Sequence, residues 1–428
     1  MTEAIHEPSE DHPAASDAAA ETGAQERAEP VQRGERIRSL DLLRGVAVMG
    51  ILVMNIQSYS MPQAAYFNPT AYGDLTGLNY AVWVFSHVLA DQKFMSLFSL
   101  LFGAGLVLVA QRVEARGGSP WKIHGRRMLW LLVFGLIHAY VIWAGDILVT
   151  YALCGLLVFP LRRRSPRTLL IVGALVLMVP VILNVLSAFS IPHWPAESLD
   201  STGQRWAPPP QEIESELEAM RGNWLEQAPA RNDDAFQLQV PAFLFWTMWR
   251  AGGLMLIGMA LFKLGVLSAA RSRRFYRGLA LVGLAVGVPL AAWGVVKNFE
   301  AGWAWQWSMF FGSLPNYFAS LFTAAAYLGI IVGAAAVFPG RRLFQAAGRM
   351  AFTNYLGQSV ICTLIFYGTG LGWFGSVERS GQALVVVLVL LFQLVFSAWW
   401  LERFRFGPAE WLWRSLTYGR LQPMRRRD

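Results

Sequence analysis

The chain has 428 residues, 55% hydrophobic and 13% aromatic, and its mean hydropathy is positive. That balance excludes an ordinary soluble domain, and two cysteines, Cys154 and Cys362, both inside apolar runs, exclude a disulfide framework and a cysteine-rich metal site. The net charge of +8 sits at the ends of apolar segments, a placement that fits membrane topology and not nucleic-acid binding.

Residues 1–35 are rich in Ala, Glu, Pro and Ser and contain no apolar stretch, so they are predicted to be a disordered tail without a cleaved signal. Stretches long enough to cross a bilayer (roughly 17–25 residues) then follow at 42–60, 94–111, 127–143, 146–161, 168–190, 242–266, 278–296, 315–338, 350–368 and 383–401. The fold class is therefore all-α: a polytopic membrane bundle of about ten helices. The first span opens on RIRSLDLLRG (36–45), where Asp41 and Arg44 share a face and can pair. Arg38 and Arg44 are equally suited to phosphate, because guanidinium forks match its oxygens and a helix start favours anions. Three turns deeper Asn55 interrupts the apolar stripe, as interhelical glue or as a donor in a site. Residues 79–92 are too polar to span and read as an interfacial or re-entrant lead, with Asp91 and Lys93 an ion pair at the interface.

His138 and Asp146 lie eight residues apart at the shared tip of two nearly uncharged segments. Ionisable groups in or near hydrocarbon are expensive and mark a pathway, a relay or a reactive centre, and the alternative is a hydrogen-bonded pair closing a hairpin at Gly145. The 191–241 stretch is acidic and Pro-flanked and reads as a solvated extracytoplasmic cap. Arg250 falls inside FLFWTMWRAGG, where the charge pattern does not want a cation; it either pairs with Asp146, its natural partner, or snorkels to the interface. Asn354, Tyr355 and Gln358 in FTNYLGQS form a further polar patch for cavity lining or helix binding. The first, third, fourth and sixth spans are expected to converge with Asn55, His138, Asp146 and Arg250 turned inward. Arginines and lysines near 36–44, 112–127, 162–167, 271–277, 341–349 and 425–427 alternate with loops nearly free of them. Both termini are thereby predicted to be cytoplasmic.

RIRSLDLLRGVAVMGILVMNI, FMSLFSLLFGAGL, GLIHAYVIWAGDILVTYALCGLL, GRMAFTNYLGQS and RFRFGPAEWLWRSLTYGRLQP together resemble the bacterial YeiB family of inner-membrane proteins, the last stretches looking like domain of unknown function 418. The resemblance runs from about residue 36 to 423. The R-x-x-D-x-x-R-G start (Arg38, Asp41, Arg44, Gly45), with an Asn deeper in the helix, also resembles transmembrane acyltransferases of the heparan glucosaminide N-acetyltransferase group. That group places a histidine shortly after the Asn, and residues 63–68 (QAAYFN) here have none. The resemblances imply an acyltransferase-like bundle over 36–190, the acidic loop 191–241, a YeiB-type domain over 242–423 and a basic tail over 424–428.

Carried onto this chain, the resemblance implies acyl transfer from cytoplasmic acyl-CoA to an envelope glycan or lipid. His138, with His87 as the alternative, is then the base, Asp146 its orienting carboxylate and Asn55 an oxyanion donor. Arg38 and Arg44 would hold the donor phosphates, while Arg250, Asn354, Tyr355 and Gln358 line the cavity. No metal and no other cofactor is implied. The competing expectation is a permease in which His138, Asp146 and Arg250 form a proton relay.

Overall fold

A computed structural model describes residues 38–335 and 337–426. The expected 1–35 tail, Arg36, and 427–428 of the basic tail lie outside them. Eighteen α-helices run in order: α1 Arg38–Ser60, α2 Gln63–Phe67, α3 Gly77–Leu89, α4 Lys93–Ala115, α5 Pro120–Ile137, α6 Leu148–Val158, α7 Pro166–Ser190, α8 Ala196–Trp206, α9 Pro210–Arg221, α10 Ala228–Gln239, α11 Met248–Lys263, α12 Arg273–Glu300, α13 Trp305–Ser308, α14 Leu314–Gly333, α15 Arg341–Arg349, α16 Ala351–Phe366, α17 Arg379–Arg403 and α18 Pro408–Tyr418. No β-strand occurs among the described residues; one isolated antiparallel bridge joins Phe404 and Arg425.

Helix starts follow local chemistry. Ser119 and Ser165 precede a proline at the first helical position, and each accepts a backbone N–H of its own first turn. The proline lacks a donor that would be orphaned there anyway, and the serine oxygen satisfies another.

Among the described residues eight helical stretches are long and apolar enough to cross a membrane, where the sequence predicted ten spans. The two others are shorter. Residues 146–161 yield only the eleven residues of α6 before a 3₁₀ turn, Phe159–Arg163, which contains Pro160. At 1.5 Å per residue α6 rises about 16 Å, half a hydrocarbon core. Residues 350–368 yield the sixteen of α16. Conversely, the polar lead at 79–92 is helical as α3 and joins α4 through a bend at Gln92, whose φ is +62°.

At the centre α1 packs against α4, α14, α15, α16 and α17. Its crossing with α15 is very close: a Cβ on Gly45 would lie 1.9 Å from the Phe344 carbonyl oxygen, and one on Gly348 1.9 Å from that of Asp41. Without aqueous hydrophobic pressure between membrane helices, such small-residue contacts let backbones pack directly. One core cluster draws Val48 from α1, Val107 from α4, Tyr151 from α6, Met255 from α11 and Tyr355 from α16.

The bundle has two chemically unlike ends. At one, Arg163 pairs with Glu114 at 2.8 Å, Arg127 stacks over Trp413, and Arg38, Arg341 and Arg342 line a common cleft. At the other, α8–α10 dock as a lid. The Trp206 indole donates to the Trp303 carbonyl (2.8 Å), Arg221 to that of Phe374 (2.7 Å) and Arg231 to that of Tyr140 (2.9 Å). The 191–241 stretch, read from sequence as a solvated cap, folds as three helices whose residues are mostly exposed or half-buried, and its Trp and Arg side chains anchor it by donating to carbonyls of the bundle.

The start of α16 has no capping side chain of its own. Glu410, at the start of α18, supplies one from outside the helix: its carboxylate accepts Phe352 N–H (2.7 Å), Thr353 N–H (3.1 Å) and the Thr353 hydroxyl (2.5 Å). A carboxylate at a helix N-terminus satisfies orphan donors and opposes the positive dipole end. Glu410→Ala should therefore lower stability by about 1–3 kcal/mol, read from unfolding of the purified protein in detergent. Glu410→Gln, which keeps an acceptor, should lose less; equal losses would contradict the capping role.

Candidate functional site

The final turn of α5 widens into a π-helical segment, His138–Ile142, closed by the Trp143 N–H on the His138 carbonyl at 2.8 Å. One-turn π segments that interrupt α-helices are frequent at functional sites. The chain then runs extended through Trp143 and turns at Gly145 before α6 begins. This detour brings Asp146 back against His138.

His138 Nδ1 lies 2.8 Å from Asp146 Oδ1, with both side chains essentially inaccessible. Asp146 Oδ2 accepts Val149 N–H at 2.8 Å and so caps the first turn of α6. The other imidazole nitrogen, Nε2, is 2.8 Å from Ser359 Oγ, and Ser359 Oγ is 2.7 Å from the Tyr59 hydroxyl. An ionised carboxylate only accepts, so Nδ1 carries the proton and Nε2 accepts from Ser359. The chain runs Tyr59, Ser359, His138, Asp146, drawn from α1, α16, α5 and the loop before α6.

Packing sets the geometry. Tyr59 packs against Trp143 in a tilted arrangement with ring centroids 4.1 Å apart, and the Tyr355 ring centre is 5.1 Å from that of His138. The Tyr355 hydroxyl accepts Ile147 N–H at 3.2 Å, pinning the loop that carries Asp146. Gly135 leaves room for this turn: a Cβ there would lie 2.7 Å from Val149 N and 3.0 Å from Asp146 Oδ2. Beside the loop is a cavity of about 20 Å³, room for roughly one water, lined in part by Ser58, Trp143, Gly145, Glu216, Arg231 and Asp234. Burial raises the Glu216 carboxyl above its ordinary range, and the Gln63 N–H it accepts pulls the other way.

The other candidates distribute as follows. Asn55, one turn before Tyr59 on α1, is half-buried and makes no side-chain hydrogen bond among the described residues. Asn354 donates to the Ala347 carbonyl and to Ser397, and Gln358 to the Val48 carbonyl and Gln393; both tie helices together. Arg44 pairs with Asp41 at 3.4 Å. Arg38 lines a cleft of about 580 Å³ with Ser39, Arg341, Arg342 and Gln345. Twenty-one residues of α1 separate Arg38 from Tyr59, a rise of about 31 Å, so this cleft and the His138 centre lie at opposite ends of one helix.

One expected contact does not form. Arg250 is completely buried, but its hydrogen bonds go to Ser96 (3.0 Å) and Ser320 (2.5 Å), and both Asp146 oxygens are taken by His138 and Val149. The reason is that the α6 helix start and the imidazole both need the carboxylate first.

Sequence reading missed Ser359 and Tyr59. The available signal was periodicity: Ser359 follows Tyr355, and Tyr59 follows Asn55, by four residues, which puts each pair on one helix face.

Residues 261–420 match the family described as "Protein of unknown function (DUF418)". The chain is 36% identical to the uncharacterized protein YeiB of Escherichia coli (strain K12) over 386 residues, 90% of this chain and 96% of the relative. It is 32% identical to the uncharacterized protein YxaH of Bacillus subtilis (strain 168) over 412 residues, 92% of this chain and 98% of that one. An uncharacterized 39.9 kDa protein in the amylase 3' region of Bacillus acidopullulyticus is 26% identical over 400 residues, 92% of this chain and 98% of that protein.

The double engagement of Asp146 has a measurable consequence. Asp146→Ala strands both the His138 Nδ1–H and Val149 N–H and should cost about 2–5 kcal/mol of stability, whereas Ser359→Ala should cost about 1 kcal/mol. Denaturation midpoints in detergent rank the two variants, and equal losses would refute the double role.

Proposed function

The chain belongs to the YeiB family, and from the geometry at His138 we propose that it is a membrane-embedded acyltransferase in which Asp146, His138 and Ser359 act in series. The supporting observation is the order of the hydrogen bonds: carboxylate on Nδ1, serine hydroxyl on Nε2. A base oriented by a carboxylate and already holding a hydroxyl is the arrangement that acyl transfer needs.

In the first half-reaction His138 takes the Ser359 proton as Ser359 Oγ bonds to the acyl carbonyl carbon of a thioester. The carbon–sulfur bond breaks and the leaving thiolate receives that proton. In the second half an acceptor hydroxyl gives its proton to His138 and takes the acyl group, and Ser359 recovers its hydrogen. Asp146 holds the ring in the required tautomer throughout. Asn55, with a free amide one turn from Tyr59, is assigned to the developing oxyanion.

The arginine cleft suits the phosphates of the donor. It lies about 31 Å along α1 from the reacting group, which restricts donors to elongated molecules with phosphate at one end and acyl group at the other. Arg44, Ile51, Asn55 and Ser58 are half-buried at spacings that put them on one stripe of α1, and the body of such a donor runs along it. Acyl-CoA is the first donor to test. In this reading the arginine-rich end faces the cytoplasm, the lid faces outward, and the acceptor is an envelope glycan or lipid.

In membranes containing each variant, transfer of labelled acetyl from acetyl-CoA to envelope material should fall at least 100-fold in His138→Ala. Label should remain covalently on the wild-type protein and be absent from Ser359→Ala. Arg38→Ala should raise the apparent KM for the donor more than it lowers kcat. Undiminished transfer in His138→Ala would remove that residue as the base, and no protein-dependent transfer with any elongated acyl donor would favour the permease reading.

A further inference from the structure

A second polar centre lies inside the bundle, apart from His138. It also adjoins a π-helical turn, Phe243–Thr247, directly before α11. Arg250, in the first turn of α11, is completely buried, and its guanidinium carbon sits 4.4 Å from the centre of the Tyr317 ring. Its Nη2 reaches the hydroxyls of Ser96 and Ser320. Both hydroxyls already donate to backbone carbonyls, of Gln92 and Tyr317, so they serve Arg250 only as neutral acceptors. Nε and Nη1 have no partner, and neither has the buried hydroxyl of Thr247, one turn earlier on the same helix face.

The neighbouring charges do not compensate. Lys93, three residues before Ser96 on α4, is completely buried and donates to the His87 carbonyl and to Asn316 Oδ1. Asn316, four residues before Ser320 on α14, passes its amide hydrogen to Asp91 Oδ2 at 2.6 Å, and His87 lies 3.5 Å from that oxygen. Arg250 and Lys93 thus share one carboxylate, and that carboxylate serves Asn316 and His87. Expected from sequence as an ion pair, Asp91 and Lys93 are both buried and are joined through the Asn316 amide.

A guanidinium in a low-dielectric interior that hydrogen-bonds only to neutral hydroxyls, keeps two idle donors and shares one carboxylate with a buried lysine is a poor end state for a fold, because buried charges are normally paired. We propose that Arg250, through an unpartnered N–H of its guanidinium, binds a small monovalent anion, chloride or the carboxylate of a small organic acid. The anion restores neutrality to the Arg250–Lys93–Asp91 cluster and occupies one of the idle donors. An ordered water would satisfy the same donor but leave the excess charge.

The test uses the full chain in nanodiscs of phosphatidylcholine, unfolded thermally at constant ionic strength while sodium gluconate is replaced by sodium chloride or sodium formate. A saturable rise of Tm with chloride or formate, absent in Arg250→Gln and retained in Arg38→Ala, is the expected result. Identical Tm in gluconate, chloride and formate would overturn the proposal, as would an undiminished rise in Arg250→Gln. Should Arg250→Gln fail to fold, chloride-35 line broadening by the wild-type protein decides: saturable broadening displaced by formate supports the site, and none refutes it. Neither readout depends on acyl transfer.

Discussion

One carboxylate organises the centre of this protein. Asp146 spends one oxygen on the His138 ring and the other on the first turn of α6, so the start of a helix and the tautomer of an imidazole depend on the same side chain. In water such an arrangement would be one of many. Within a bundle this apolar, where an unmet donor has no solvent to turn to, it sets where the polypeptide bends. The π-helical end of α5, the extended Trp143 and the short α6 follow from bringing that carboxylate back across eight residues.

The same economy of hydrogen bonds governs the rest of the fold. Glu410 crosses from α18 to cap α16, and α16 in turn delivers Tyr355 and Ser359 to His138. Stretches that look like recognition motifs are here largely scaffolding. The glycines of LLRG and AAGRM meet where α1 crosses α15, and the glutamate of FGPAEW is the α16 cap. Asn354 and Gln358, polar residues inside a helix, link α16 to α17 through Ser397 and Gln393. Polar side chains in this bundle therefore divide into those whose hydrogen bonds close on other helices and the few that retain unused capacity, Arg250 and Asn55 among them.

Separation of charge is the other organising feature. The arginine cleft and the His138 centre lie at opposite ends of α1, and the lid helices cover the second but not the first. A reaction joining the two ends needs a long donor; a reaction at His138 alone needs only access past the Tyr59–Trp143 pair. The buried Arg250 cluster belongs to neither end. Its serines come from α4 and α14, whereas the His138 centre is built from α1, α5 and α16.

Hydropathy was enough to read an all-helical, many-times-crossing membrane protein from the amino-acid sequence, because apolar runs of bilayer length have few other uses. The His138–Asp146 contact was legible as well, since eight residues around a glycine turn bring two side chains together without help from elsewhere. The two short helices were not, because whether an apolar run completes a span depends on where a proline-bearing turn or a capping carboxylate ends it. Ser359 and Tyr59 stand 221 and 300 residues from the partners they meet; periodicity puts each on the face of a residue already singled out but does not say what that face meets. Arg250 shows the limit most clearly: its charge and depth were evident from the chain, but its partner was not. Asp146 was the only carboxylate that sequence reasoning offered it. Only packing decided otherwise, by committing that carboxylate to a helix start and an imidazole and leaving the guanidinium to neutral hydroxyls.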